Sequence, residues 1–224
     1  MLSKKAVLAL RLDGPLQSWG FDSQYNRRNT GLMPTKSAIA GMCCAALGYA
    51  RGSGEEKAFL PQFNAVHMIA IATPRKGTKT ELPVRRLQDY HTVQNTKTAD
   101  GKTKDCHITY RQYLSDASFG VLLEGPAQLL LQVSSALANP VWGLWLGRKS
   151  CIPTAPILAG IRDNREAALR LLIGEKPLGA FVCQEEVENF AEGRDTLPDA
   201  PVSFASERRL FSPRRVKTRQ GREG

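Results

Sequence analysis

Lys36 is the first residue whose chemistry calls for an explanation. It stands in the first turn of a helix expected to begin at Thr35, within Pro34-Thr-Lys-Ser37, after a strand at 6–12 and a Gly14-Pro15 turn. The positive end of the helix dipole disfavours a cation there. Either the lysine is a solvated surface group, or an anion lies between it and the helix's free backbone N–H groups. A second basic site is the turn Gly147-Arg-Lys-Ser150, which carries two cations and a hydroxyl. It reads as a phosphate clamp or as an ordinary basic turn. It is not a nucleotide-hydrolysing P-loop, since G-x-x-x-x-G-K-[ST] would need glycine at Trp142 and lysine at Arg148.

Other chemistries have less to stand on. Metal-free RNA cleavage would use a histidine with a lysine or tyrosine near the scissile phosphate. His67 falls within an expected strand, while His91 (beside Tyr90) and His107 (near Tyr110) fall in a polar insertion, where surface roles are the commoner ones. No carboxylate cluster suggests a two-metal site. The five cysteines, Cys43, Cys44, Cys106, Cys151 and Cys183, show no C-x-x-C spacing, which argues for reduced thiols and against a zinc site. No catalytic residue, metal ligand or cofactor is therefore assigned.

The formal charge of +10 on 224 residues points to a polyanionic partner, nucleic acid before any other. The charge is directed: seven cations lie between Arg208 and Arg222, while the segment from Asp163 to Asp199 is net acidic. No signal peptide precedes the first strand, and no apolar run is long enough to span a bilayer. The expectation is a soluble cytoplasmic protein without membrane contact.

Positioning these residues requires a mixed architecture. Ile39, Met42, Cys43, Ala46 and Leu47 recur at helical spacing, with Gly48 as the C-cap. A second strand fits 65–72. From Thr73 to about Thr109 the chain is polar and lysine-rich, and forms either a protruding hairpin with a tip at Asp100-Gly101 or a disordered insertion. A third strand is expected at 113–123, a helix at 129–137, a fourth strand at 141–146, a helix at 164–173, a strand at 180–187 and a last strand or arm at 202–211. The tail 214–224 reads as disordered. Trp19 is a hydrophobic plug or a stacking platform, and Trp142 and Trp145 read as core or interface residues. The order β-α-β-(insertion)-β-α-β is that of α+β ferredoxin-like domains, on which many RNA-binding proteins are built. The usual RNA-recognition signature is absent from strand three, so RNA contacts are expected from loops and strand ends.

Six blocks carry a resemblance: Gly14-Pro-Leu-Gln-Ser-Trp-Gly20, Pro34-Thr-Lys-Ser37, Leu87-Gln-Asp-Tyr-His-Thr-Val93, Tyr113-Leu-Ser-Asp-Ala-Ser-Phe119, Leu146-Gly-Arg-Lys-Ser-Cys151 and Phe204-Ala-Ser206. In this order they resemble the CasD subunits of type I-E Cascade, the CRISPR RNA-guided surveillance complex. The resemblance implies a ferredoxin-like (modified RNA-recognition-motif) body over 1–160, with a thumb at about 74–110. A C-terminal extension would cover 161–211, followed by a disordered basic tail at 212–224. It further implies a non-catalytic subunit that caps the 5′ handle of the CRISPR RNA and helps nucleate the backbone. Its neighbours would be the CasC backbone subunits and the large subunit CasA, with target DNA engaged through the assembled complex. Precursor cleavage would belong to a separate subunit, CasE. Related type I-C subunits do cut the precursor without a metal, with a tyrosine, lysine and histidine, and no clear match to that set is present. On this reading Lys36, Ser37, Arg148, Lys149 and Ser150 are the expected handle contacts, with Arg27, Arg28, Arg208 and Arg209 behind them. Arg85, Arg86, Tyr90 and His91 would meet RNA or neighbouring subunits from the thumb.

Overall fold

The computed structural model describes residues 4–20, 22–76, 81–82, 84–98, 100–189, 191–193 and 195–221. Strand β1 (Lys5–Asp13) leads through the two-residue strands β2 (Leu16–Gln17) and β3 (Arg27–Arg28) into helices α1 (Lys36–Leu47) and α2 (Gly54–Asn64). Strand β4 (His67–Ala72) follows, then the short β5 (Arg75–Lys76) and β6 (Glu81–Leu82). The long pair β7 (Arg85–Lys97) and β8 (Thr103–Ser115) leads into β9 (Ser118–Pro126) and α3 (Ala127–Ala138). The chain ends with β10 (Leu158–Arg162), α4 (Arg165–Ile173), β11 (Cys183–Val187), β12 (Asp195–Ser203) and β13 (Leu210–Arg219).

Seven strands form one sheet in the order β10-β1-β9-β4-β11-β13-β12, every pairing antiparallel. The period of two along a strand divides its apolar residues between two cores. Leu8, Leu10 and Leu12 of β1, Met68 and Ala70 of β4, and Phe119, Val121 and Leu123 of β9 face the larger core, where α1, α2 and α3 pack. Val7, Ala9, Ile69, Ile71 and Leu122 face the smaller core under α4. These central strands are covered on both faces, which is why they read as nearly continuous apolar runs.

Local chemistry sets the helix ends. Thr35 caps α1 by accepting from the Ala38 N–H, and Gly48 closes it at φ +76°, a left-handed position that glycine adopts without penalty. Asn164 caps α4 in the same way as Thr35, accepting from Ala167. Helix α2 has no counterpart in the sequence expectations. Its N-cap Ser53 accepts from Glu56, three residues on, while the Glu56 carboxylate turns back to the Gly52 N–H. Gly54 at its start and Pro61 inside it read as breakers, yet α2 bridges both.

Four expected elements differ, among them the last strand or arm at 202–211, which covers the end of β12, the connection 204–209 and the start of β13. The single strand 113–123 is two, because Asp116 adopts φ +57° and breaks the chain between β8 and β9. The segment 141–146 is not a strand: the Val141 and Trp142 N–H groups donate to the Ala46 and Ala45 carbonyls at the end of α1. Those bonds satisfy a helix C-terminus, and the donors are lost to any ladder. The tail is ordered through 221 where disorder was expected from 212 or 214. Strand β13 pairs with both β11 and β12, and Arg214 and Val216 on it are buried. Residues 222–224 of the expected tail lie outside the described residues, as do 77–80, 83 and 99 of the expected insertion.

The largest correction concerns Lys36. Its side chain is among the largest fully buried in the protein. The ammonium donates to both Glu186 carboxylate oxygens at 2.8 and 2.9 Å, and to the Asn64 and Val66 carbonyls. The anion that a cation at a helix start requires is present, but it belongs to the protein and not to a ligand. Asp199 accepts the Lys36 backbone N–H at 2.8 Å and is itself held by two bonds from Arg214. Burial pulls the Lys36 pKa below the ordinary lysine value, against the upward pull of Glu186. Removing one member leaves an uncompensated buried charge. Glu186→Gln is therefore expected to lower the unfolding free energy by about 3 kcal/mol or more, measured by urea denaturation. Lys36→Met combined with Glu186→Leu should recover part of that loss.

Candidate nucleic-acid interface

Two adjoining cavities of about 640 and 340 Å³ run across the α1 side of the molecule. Both touch Ser18, Gly20, Ser37, Gly147, Arg209 and Phe211, so they form one continuous groove. Every one of these residues sits in a loop, in a helix's first turn or near a strand end. The groove thus lies where the sheet hands the chain over to its connections. Arg28 and Arg148 line the smaller part; Arg51 and Lys149 line the larger. Among the described residues, the one carboxylate in the wall is Glu56, whose oxygens are both engaged by the Gly52 and Phe204 N–H groups. The electrostatic character is positive.

Aromatic surface accompanies the charge. Trp142 is 46% exposed and Trp145 38%, and both line the larger cavity with Tyr49, Phe204 and Phe211. They are open wall residues and not core. Trp19 behaves as the plug: it is fully buried, edge-on to Phe119, with its indole N–H given to Gln17 Oε1. Cys44 also reaches the groove, but burial pushes its thiol up to about 12, so it is no nucleophile at neutral pH.

The expected contact residues separate into distinct environments. Ser37 and Lys149 meet in the larger cavity with Arg209, and Arg28 joins Ser37 and Arg209 in the smaller one. Lys36 is absent from the groove for the reasons given above. Arg148 is mostly committed internally: its guanidinium donates to the Gln112 and Arg28 carbonyls at 2.8 and 2.6 Å and lies 4.7 Å over the Tyr113 ring. It brackets the basic turn, the β3 loop and the base of the β7–β8 hairpin. Ser150 is exposed, its hydroxyl 3.5 Å from the Tyr113 hydroxyl, and Arg27 lies over the Tyr110 ring. Arg208 is exposed outside the groove's lining. On the hairpin, Arg85, Arg86 and Tyr90 are exposed; Tyr90 packs edge-on against Tyr110, and His91 stands 3.8 Å from the Asp89 carboxylate. Arg51 and Phe211 were missed. Arg51 lies beyond a helix C-cap in a glycine-rich turn, and nothing in its neighbours announces a site.

Gly147 allows the turn to sit where it does. At φ +98° a Cβ would stand 1.8 Å from the Ser18 carbonyl oxygen, so the two groove loops can touch only through a glycine.

A family model described as CRISPR-associated protein (Cas_Cas5) matches residues 7–217. The chain belongs to the Cas5 family of CRISPR-associated proteins. It is 29% identical over 203 residues to the CRISPR system Cascade subunit CasD of Escherichia coli (strain K12), covering 88% of this chain and 89% of the relative. A chain from a CRISPR RNA-guided surveillance complex superposes with a TM-score of 0.74 at 28% identity, over 95% of this chain and 88% of that one. A crystal structure of a Cas protein gives 0.66 at 32% identity, over 95% and 93%. The Cas5 match thus includes the groove loops and most of β13, ending at residue 217.

The bracket can be tested by a substitution that keeps its charge. Arg148→Lys retains the cation but loses the fork that reaches two carbonyls and the planar face over Tyr113. Hydrogen exchange should accelerate around Arg28 and at Gln112–Tyr113, although net charge is unchanged. Wild-type protection there would mean the guanidinium holds nothing.

Proposed function

We propose that this chain is a non-catalytic subunit of a type I-E Cascade that binds and caps the 5′ handle of the CRISPR RNA in the groove. The observation that carries the proposal is the convergence of Arg28, Lys149 and Arg209 with exposed Trp142, Trp145 and Phe211 in one continuous channel. Cations that track a backbone beside aromatic faces suit a single strand, whose bases are free to stack. Membership of the Cas5 family and the likeness to a Cascade subunit supply the assembly context.

On this reading the seven-stranded sheet with its helices is the ferredoxin-like body with its C-terminal extension, and the β7–β8 hairpin is the thumb. Arg85, Arg86, Tyr90 and His91 then meet the handle–spacer junction or the CasC backbone subunits, helping to nucleate the backbone. CasA docks nearby, and target DNA is engaged by the assembled complex in the cytoplasm. Among the described residues no helix is long and apolar enough to cross a membrane.

Handle RNA binding to Lys149→Glu/Arg209→Glu, followed by fluorescence anisotropy at several salt concentrations, tests the proposal. Affinity should fall at least tenfold at moderate salt. The slope of log K against log salt should shrink by about 1–1.5, at roughly 0.7 per lost phosphate contact on a single strand. Normal binding and normal co-purification with the other subunits would remove the groove from consideration. Precursor repeat RNA incubated in EDTA should stay intact. Specific cleavage that disappears in His91→Ala would replace the binding-only reading with a metal-independent endoribonuclease.

A further inference from the structure

The run of cations near the C-terminus serves more than the groove, because strand alternation divides it. Arg209 lines the groove, and Arg214 is buried against Asp199. Arg215, Lys217 and Arg219 point the other way. They pair with Val187, Glu185 and Cys183 of β11, and Cys183 packs in the smaller core on the α4 side of the sheet. They therefore stand on the face of the sheet opposite α1. Residues at i and i+2 on a strand repeat every ~6.6–6.8 Å, so the three make a straight basic row. Lys217 is exposed, Arg219 keeps 54% of its side-chain surface in solvent, and Arg215 is half-buried.

Lys217, Arg219 and the neighbouring Arg165 outnumber Glu185 and Glu124, the two carboxylates paired among them. Arg165, at the start of α4, adds a fourth cation, and the carboxylates that face it are Glu185 and Glu124. Glu185 is shared by Arg165 and Arg219, and Glu124 is taken by Arg165. Lys217 has neither of these carboxylates to itself. The paired positions on β11 and β12 are Val187, Glu185, Cys183 and Thr196, none of them aromatic. At these described positions, cations without stacking neighbours can hold phosphates but offer nothing to an unstacked base.

We infer that the Arg215–Lys217–Arg219 face is a second nucleic-acid surface, which takes the phosphate backbone of duplex DNA without reading its sequence. It differs from the groove in position and in chemistry. The groove's aromatics suit a single strand, whereas the open row suits a partner whose bases are already stacked inside a duplex. Because the two lie on opposite sides of the sheet, both can be occupied at once.

The test uses the full chain, a short fluorescent DNA duplex of arbitrary sequence and a salt titration. Lys217→Ala/Arg219→Ala removes two cations outside the large core. The slope of log K against log salt should fall by about 1.8, at roughly 0.9 per phosphate contact on duplex DNA. Lys217→Arg/Arg219→Lys should restore it, and thermal melting should show that both variants are folded. Handle RNA binding should be unaffected by the alanine pair, and duplex binding unaffected by Lys149→Glu/Arg209→Glu. An unchanged duplex slope in the alanine pair would overturn the inference. So would loss of duplex binding in the groove variant, since the duplex would then occupy the groove. Equal loss of single-stranded RNA and duplex binding in the alanine pair would overturn the duplex assignment.

Discussion

The fold and its groove depend on a group of buried charges where α1 begins. Asp199 places a carboxylate at the helix's positive end and takes the Lys36 N–H, which is favourable for dipole and hydrogen bond alike. The Lys36 side chain continues inward to Glu186, which also accepts the Met68 N–H, and to carbonyls at the end of α2 and just before β4. Arg214 completes the set by fixing Asp199 from β13. The first helix, the second helix, β4, β11, β12 and β13 are thus joined through two carboxylates. Such groups are expensive to desolvate and tolerate no missing partner, so their geometry is tightly specified. The groove inherits that specification, since Ser37 is the next residue along α1, and Arg209 and Phe211 belong to the connection that Asp199 and Arg214 close.

How much of this was legible follows from how local each signal is. The boundaries of α1 could be read because threonine and glycine caps act within a few residues. Helix α3 was read near its bounds, and α4 was legible from its asparagine cap and spacing. The lysine after Thr35 correctly signalled an anion, but the sequence could not say that the anion would be Glu186 and Asp199, 150 and 163 residues on. An internal carboxylate and an RNA phosphate satisfy the same electrostatic demand. Helix α2 was hidden by Gly54 and Pro61, although the Ser53–Glu56 pair was the legible clue. The run 141–146 has a strand's composition, and only its tertiary bonds to the end of α1 make it a loop. The basic tail looked disordered because charge dominates its composition, whereas its alternation of buried and exposed positions is that of a strand.

Arg148 shows how a residue can border a groove while most of its own chemistry is spent elsewhere. A basic turn after a strand-like run suggests phosphate contact, and the turn does border the groove. Yet two of the guanidinium's nitrogens are spent on carbonyls of two other segments, and its face on Tyr113. The same bracket fixes the base of the hairpin to the groove's wall. The hairpin is therefore coupled to the groove wall through direct bonds to Arg28 and Gln112. That coupling is geometric and needs no long pathway.

Trp19 supplies the remaining constraint. Its burial holds the loop 18–20 while its backbone is tied on both sides: the Ser18 N–H to the Leu146 carbonyl, the Trp19 N–H to the Thr30 hydroxyl, and the Gly31 N–H to the Trp19 carbonyl. Leu146 in turn donates to Cys151, closing the basic turn. The loops that carry Ser18, Gly20, Gly147 and Lys149 are thereby held by their own bonds, without help from a ligand. A charged single strand loses much conformational freedom on binding, and a wall that also had to order itself would add to that cost. With Trp19 spent on the plug, Trp142 and Trp145 are left exposed in the groove wall, where the proposed single strand would meet them.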